Sequence, residues 1–248
     1  MSTPPAVRLT GVTKRYAPGR VPALVDLTLE VPAGTVTALV GANGSGKSTL
    51  LRLLAGLLEP TSGDFEVLGH VPRRGTDVMR RIGYASVDDR LWPELTVAEN
   101  LAYRAALRGL AHDRAQTAAE DVLSRVGLAD FAQRRPASLS AGERQRALLA
   151  ATLVHGPELL LLDEPSTALD ILAQGDLHTL LEEAPRAGRS VLIATHHLEE
   201  VWMLAPELRV LGAGRLLYAG PTRALAATLP ELRQRLASLF VEGPPCAA

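Results

Sequence analysis

The sequence predicts an α/β fold with a mostly parallel sheet, an antiparallel β subdomain and an inserted helical subdomain. Three patterns carry that expectation. Short apolar runs alternate with helical periodicity along the chain, as happens when the strands of one sheet are joined by helices. Several of these runs are apolar at every position, which suits strands buried on both faces. Residues 24–31 (LVDLTLEV) instead alternate apolar and polar, as a half-buried antiparallel strand does.

After that strand, residues 36–40 (VTALV) form the first fully buried strand, and 48–58 (STLLRLLAGLL) read as a helix. From about 96 to 155 no strand signal appears. Val97, Leu101, Ala105 and Leu107 mark one amphipathic helix. Ala115, Ala119, Val122 and Val126 mark another, with charges on the opposite side. The stretch of approximately 90–155 is therefore the expected helical lobe, placed between two strands of the sheet. Buried strands return at 159–162 (LLLL) and 191–194 (VLIA), and Gly212-Ala213-Gly214 turns into a last strand at Leu216–Tyr218. One domain is expected over residues 1–240, with a disordered, Pro- and Gly-rich tail at 241–248.

The 248 residues carry a formal net charge of −1. That length supplies a sizeable core. The charge balance argues against a partner gripped through a broad basic surface, so no nucleic acid is expected. A single cysteine, Cys246, excludes an internal disulfide framework and a cysteine-rich metal site. No run approaches 18 consecutive apolar residues, so no segment is expected to span a bilayer alone. The start, MSTPPAVRLT, lacks the charged and apolar regions of a secretory signal. A cytoplasmic location is expected, with any membrane role exercised through partners.

Residues 41–49 (GANGSGKST) abandon side chains in a way no core segment does. Gly41, Ala42, Asn43, Gly44, Ser45 and Gly46 leave the backbone open, and Lys47, Ser48 and Thr49 close the run. The pattern fits G-x-x-x-x-G-K-[ST], a phosphate-binding P-loop, and it lies between a buried strand and a helix as that motif requires. Glycines allow the turns that point successive N–H groups inward, and the helix start adds its positive end. Lys47 supplies a mobile cation for the β- and γ-phosphates, and the Ser48 hydroxyl is placed to ligate Mg²⁺. A glycine-rich hairpin with an incidental lysine is the plainer alternative, but the flanking strand and helix oppose it.

The run LLLLDE at 159–164 ends a buried strand with two carboxylates. Asp163 can hold Mg²⁺ opposite Ser48, and Glu164, one step on, can polarise an attacking water. An acidic strand end is common by itself; beside a P-loop it gains meaning. In LSAGERQR at 139–146, Ser140 and Glu143 have the spacing of a capping box.

That segment also resembles the LSGGQ-type signature of the ATP-binding cassette (ABC) ATPases, and the other family elements follow in order. Tyr16 in KRYAPG resembles the aromatic that stacks on adenine. LLLLDEP resembles the Walker B run, STALD with Asp170 the D-loop, and Thr195-His196 the switch histidine. The likeness runs from about Val7 to Gly220. Plainer roles exist: an edge-strand aromatic for Tyr16, helix caps for Asp170 and His196. The family position favours His196 over His197 as the switch histidine.

The resemblance implies a P-loop NTPase core and an ATPase whose cofactors are ATP and Mg²⁺. It also implies that two cassettes pack head to tail. Each ATP then lies between one subunit's P-loop and the other's Ser140, Ala141 and Gly142, with Asp170 contacting across the pair. Glu164 would orient water, His196 would contact the γ-phosphate, and Lys47 would complete the catalytic set. The implied function is the nucleotide-binding subunit of an exporter-type transporter whose translocation pathway is a separate transmembrane permease. The partner is a second copy or a paralogous cassette, on the inner face of the cell membrane. A non-transport ABC ATPase, of iron–sulfur assembly or DNA-repair type, is the alternative.

The sequence departs from the family at Ile82-Gly83-Tyr84-Ala85-Ser86-Val87, where Val87 replaces the usual glutamine and cannot ligate a metal. Asp88 and Asp89 beside it could ligate a metal or orient water, but read more simply as loop acids. Ala141 replaces a glycine, and Glu143 replaces a glutamine and is expected to point away from ATP. Leu91, Trp92 and Pro93 are expected in a loop where they can form a docking groove.

Overall fold

The computed structural model describes residues 3–73, 75–86, 88–167, 169 and 171–242. Val87, Asp170 and Cys246 lie outside the described residues, as does the segment 243–248. The strands are β1 (Val7–Lys14), β2 (Leu24–Val31), β3 (Val36–Gly41), β4 (Ser62–Val67), β5 (Ile82–Ala85), β6 (Leu159–Asp163), β7 (Ser190–Ala194), β8 (Glu207–Gly212) and β9 (Arg215–Pro221). The helices are α1 (Lys47–Leu54), α2 (Val97–Leu107), α3 (His112–Arg125), α4 (Ala141–Leu153), α5 (Ile171–Arg186), α6 (Leu198–Leu204), α7 (Thr222–Leu225) and α8 (Leu229–Glu242).

A six-stranded sheet runs in the order β5-β6-β7-β3-β8-β9, parallel except where β9 pairs antiparallel with β8. Its central strands are apolar throughout because both faces are covered. Leu159 and Leu161 enter one core with α1 and the small sheet, whereas Leu160 and Leu162 enter the opposite core under α5, α6 and α8. The antiparallel sheet has the order β2-β1-β4. In β2 the buried residues are Leu24, Leu27, Leu29 and Val31. The three-residue step after Leu24 reflects a register shift, with Asp26 in a left-handed conformation at φ 48°.

Between β5 and β6 the chain forms α2, α3 and α4, with a core of their own. Thr96 and Glu99 close the start of α2 with a capping box. Val97, Leu101, Ala105, Ala115 and Ala119 are buried in this lobe. Leu107 is not: it is off the i, i+4 stripe of α2 and stands 62 % exposed. Leu91, read as a docking residue, packs into the lobe core, while Trp92 stays exposed. Helix α1 also stops sooner than its apolar run suggests, because Gly56 turns left-handed at φ 65°. At the other end α8 continues as far as Glu242.

Strands β6, β7 and β3 are neighbours, and all run the same way. Their C-terminal ends therefore deliver Asp163, Thr195 and the P-loop to one edge of the sheet, where open α/β sheets bind ligands.

Candidate active site

Gly41 ends β3 where no larger residue fits: an added Cβ would meet the Leu211 carbonyl and the Ser45 Oγ at 2.4 Å. Gly44 and Gly46 follow with φ of 79° and 106°. A Cβ at Gly44 would face open space, so that side of the loop is free for a ligand. Lys47 opens α1 and is almost wholly buried, its Nζ donating to the carbonyls of Gly41 at 2.7 Å and Ala42 at 3.3 Å. The loop and the start of α1 face a cavity of about 360 Å³ lined by Asn43–Thr49, Asp163 and Glu164, with Ala23 at its edge. Tyr16 lies beside it. Its Oη is 3.1 Å from Thr49 Oγ1 while the residue remains 54 % exposed.

Asp163 is buried at the end of β6. Burial pushes its carboxyl pKa up and the adjacent Glu164 charge adds to that push, while hydrogen bonding with Ser48 and the charges of Lys47 and Arg52 oppose it. Ser48 and Asp163 thus present the paired oxygen donors that suit Mg²⁺. The next residue, Glu164, has φ 51°, a costly conformation for a residue with a Cβ. Its N–H donates to the Ala194 carbonyl at 2.8 Å, which ties β6 to β7. Its Oε2 lies 2.7 Å from His196 Nδ1 and accepts from the His196 N–H at 3.4 Å. Thr195 is fully buried, and its N–H donates to the Leu39 carbonyl at 3.2 Å, fixing this corner to β3.

Ser140 caps α4, accepting from the Glu143 N–H at 3.2 Å, and Glu143 Oε2 accepts from the Ser140 N–H at 2.7 Å. Those bonds hold the Glu143 carboxyl below the usual carboxylate range and turn it back on its own helix. Ser140, Ala141 and Gly142 take no part in lining the P-loop cavity. One link between the two regions had no sequence signal: Gln145 Nε2 of α4 donates to the Pro165 carbonyl, 3.2 Å away and next to Glu164. Of the loop acids, Asp89 makes a two-pronged ion pair with Arg104 at 2.7 and 2.8 Å, and Asp88 pairs with Arg52 at 3.3 Å.

A buried strand, a glycine loop that frames an open cavity, and a facing Asp–Glu strand end define a P-loop nucleoside triphosphatase. Residues 24–167 match the family model described as ABC transporter. The chain belongs to that family, as its ATP-binding, ATP-hydrolysing subunit. It is 32 % identical over 223 residues to the ABC transporter ATP-binding protein NatA of Bacillus subtilis, covering 88 % of this chain and 91 % of that relative. Over 245 residues it is 38 % identical to the daunorubicin/doxorubicin resistance ATP-binding protein DrrA of Streptomyces peucetius, covering 95 % and 72 %. Over 247 residues it is 40 % identical to the aliphatic sulfonates import ATP-binding protein SsuB 1 of Burkholderia lata, covering 97 % and 73 %. Among solved structures, a dimeric ATP-binding cassette in a post-hydrolysis state with ADP and Pi superposes with a TM-score of 0.79. It is 26 % identical, over 87 % of this chain and 98 % of that one. An ATP-binding subunit of an ABC transporter superposes at 0.83 with 27 % identity, over 96 % and 98 %.

Proposed function

We propose that this chain hydrolyses ATP as one half of a head-to-tail pair and drives transport through a separate transmembrane permease at the inner face of the cell membrane. One observation carries the reading. The positive end of α4, capped by Ser140, stands apart from the cavity that holds Lys47, Ser48, Asp163 and Glu164, so a second cassette must present that end to the same nucleotide. The solved dimeric cassette that this chain resembles supports such a pair.

In this reading the N–H groups from Gly44 to Thr49 cradle the phosphates, and Lys47 leaves its Gly41 and Ala42 carbonyls to reach the β- and γ-phosphates. Ser48 and Asp163 hold Mg²⁺, which when bound neutralises phosphate charge. Tyr16 stacks on adenine with its open face. Glu164 orients the attacking water, its left-handed backbone aiming the carboxylate into the cavity. His196 exchanges its bond to Glu164 for one to the γ-phosphate. Asp170 contacts the other cassette.

A groove of about 400 Å³ between lobe and core suits the permease. Leu57, Tyr84, Trp92, Leu107 and Arg108 line it, and Leu57, Trp92 and Leu107 are exposed. Apolar side chains left open beside fixed charge fit an amphipathic helix. Relatives named for import and for drug resistance are both similar to this chain, so the direction of transport is not part of the proposal.

The test is Glu164→Gln. ATP binding should persist while hydrolysis falls about 10²–10⁴-fold, the usual contribution of a positioned base. Near-normal turnover would place the base elsewhere.

A further inference from the structure

His197 is not used by the hydrolytic reading. It occupies the N-cap position of α6, yet its side chain makes no capping hydrogen bond. Instead its ring lies beside that of His196, with centroids 4.1 Å apart and planes tilted by 35°. Ligand atoms of Glu164, His196 and His197 all fall within 4.8 Å of one another. Hydrogen bonds anchor two of the three: Glu164 N–H donates to the Ala194 carbonyl, and His197 N–H donates to Thr195 Oγ1 at 3.1 Å.

Two imidazoles and one carboxylate are a donor set for a borderline cation such as Zn²⁺ or Co²⁺, not for Mg²⁺, which prefers oxygen alone. A tetrahedral shell with bonds of about 2.0–2.1 Å needs ligand atoms about 3.3 Å apart. The Glu164–His196 pair, at 2.7 Å, must open slightly, and the widest pair must close. The His196 side chain is 58 % exposed and so has room to turn. That exposure also leaves a fourth position for water.

We propose that Glu164, His196 and His197 bind one zinc-class divalent cation in the nucleotide-free protein, and that the bound ion blocks ATP hydrolysis. The ion takes the place of the proton between Glu164 and His196 Nδ1, and the metal-bound neutral imidazole carries its single proton on Nε2 instead. With both groups ligated, Glu164 no longer presents a free lone pair to water and His196 cannot turn toward a phosphate. The binding rests on the geometry alone. The block rests on the roles proposed above for Glu164 and His196.

The test uses the full chain after chelator treatment, titrated with Zn²⁺ in a competition with a chromophoric chelator, and with Co²⁺ by absorption. We expect one Zn²⁺ per chain, a Co²⁺ visible band of a low-coordinate nitrogen–oxygen site, and affinity at least tenfold weaker in His197→Ala. That variant should keep its metal-free Mg²⁺-ATPase activity, which also certifies its fold, and should resist inhibition at Zn²⁺ concentrations that stop the wild type. Unchanged Zn²⁺ affinity in His197→Ala would overturn the site. Binding that depends on His197 but leaves hydrolysis intact would overturn the block. If Glu164→Gln hydrolyses ATP normally, the functional reading fails, while the titration still decides the site.

Discussion

Glu164 and His196 share a hydrogen bond of 2.7 Å, so the carboxylate beside the P-loop is already partnered before any phosphate arrives. The contact exists because β6 and β7 are adjacent and Glu164, at φ 51°, turns its side chain toward the end of β7. In the proposed cycle this bond must open, which makes His196 a group that changes partners.

His196→Ala removes the partner of Glu164 without touching the loop. ATP affinity should stay within a few fold while kcat falls about 10²-fold or more, the scale of losing one donor to developing charge. Nucleotide binding by fluorescence and phosphate release separate the two. A matched loss of affinity and kcat would mean that His196 shapes the resting site instead.

His155 adds a pH signature. Burial first, and then the Arg108 charge, lower its pKa to about 4, and Nε2 lies 3.2 Å from the Ile82 carbonyl. The folded pKa lies below the ordinary value of about 6.5, so the stability tied to neutral His155 is complete above that pH. It is lost as pH falls toward about 4, at a cost of up to roughly 3 kcal/mol. His155→Gln should flatten this acid limb in urea unfolding measured from pH 7 to pH 4. An unchanged limb would assign the sensitivity to other groups.

How much of this was legible varies with burial. Strands β3, β6 and β7 announce themselves because both faces are covered, and the Ser140–Glu143 box is a local pattern with a local cause. β5 has four residues, too few for a period, and β1 is interrupted where Gly11 takes φ 60°. Leu91 and Leu107 depart from their local pattern because a loop leucine can be core and a helix leucine can fall off the stripe. The Glu164–His196 and Gln145–Pro165 bonds depend on which strands and helices become neighbours, and no short window of sequence encodes that.

Trp92 tests the proposed permease groove. Its ring meets Tyr103 edge-on at 4.9 Å and Arg104 at 5.4 Å, which fixes its place at the groove. Trp92→Ala should leave ATPase activity of the isolated subunit within about twofold, since the residue is 39 % exposed and takes no part in the P-loop lining. The amount of subunit retained on native membranes after washing should drop several-fold. Undiminished retention would place the permease contact elsewhere.

The central claim is that one chain supplies half of the surface around a nucleotide. Sedimentation of the Glu164→Gln protein with and without ATP and Mg²⁺ tests it most directly. The account predicts a monomer without ATP and a dimer with it. A protein that stays monomeric at high concentration while binding ATP with undiminished affinity would contradict it.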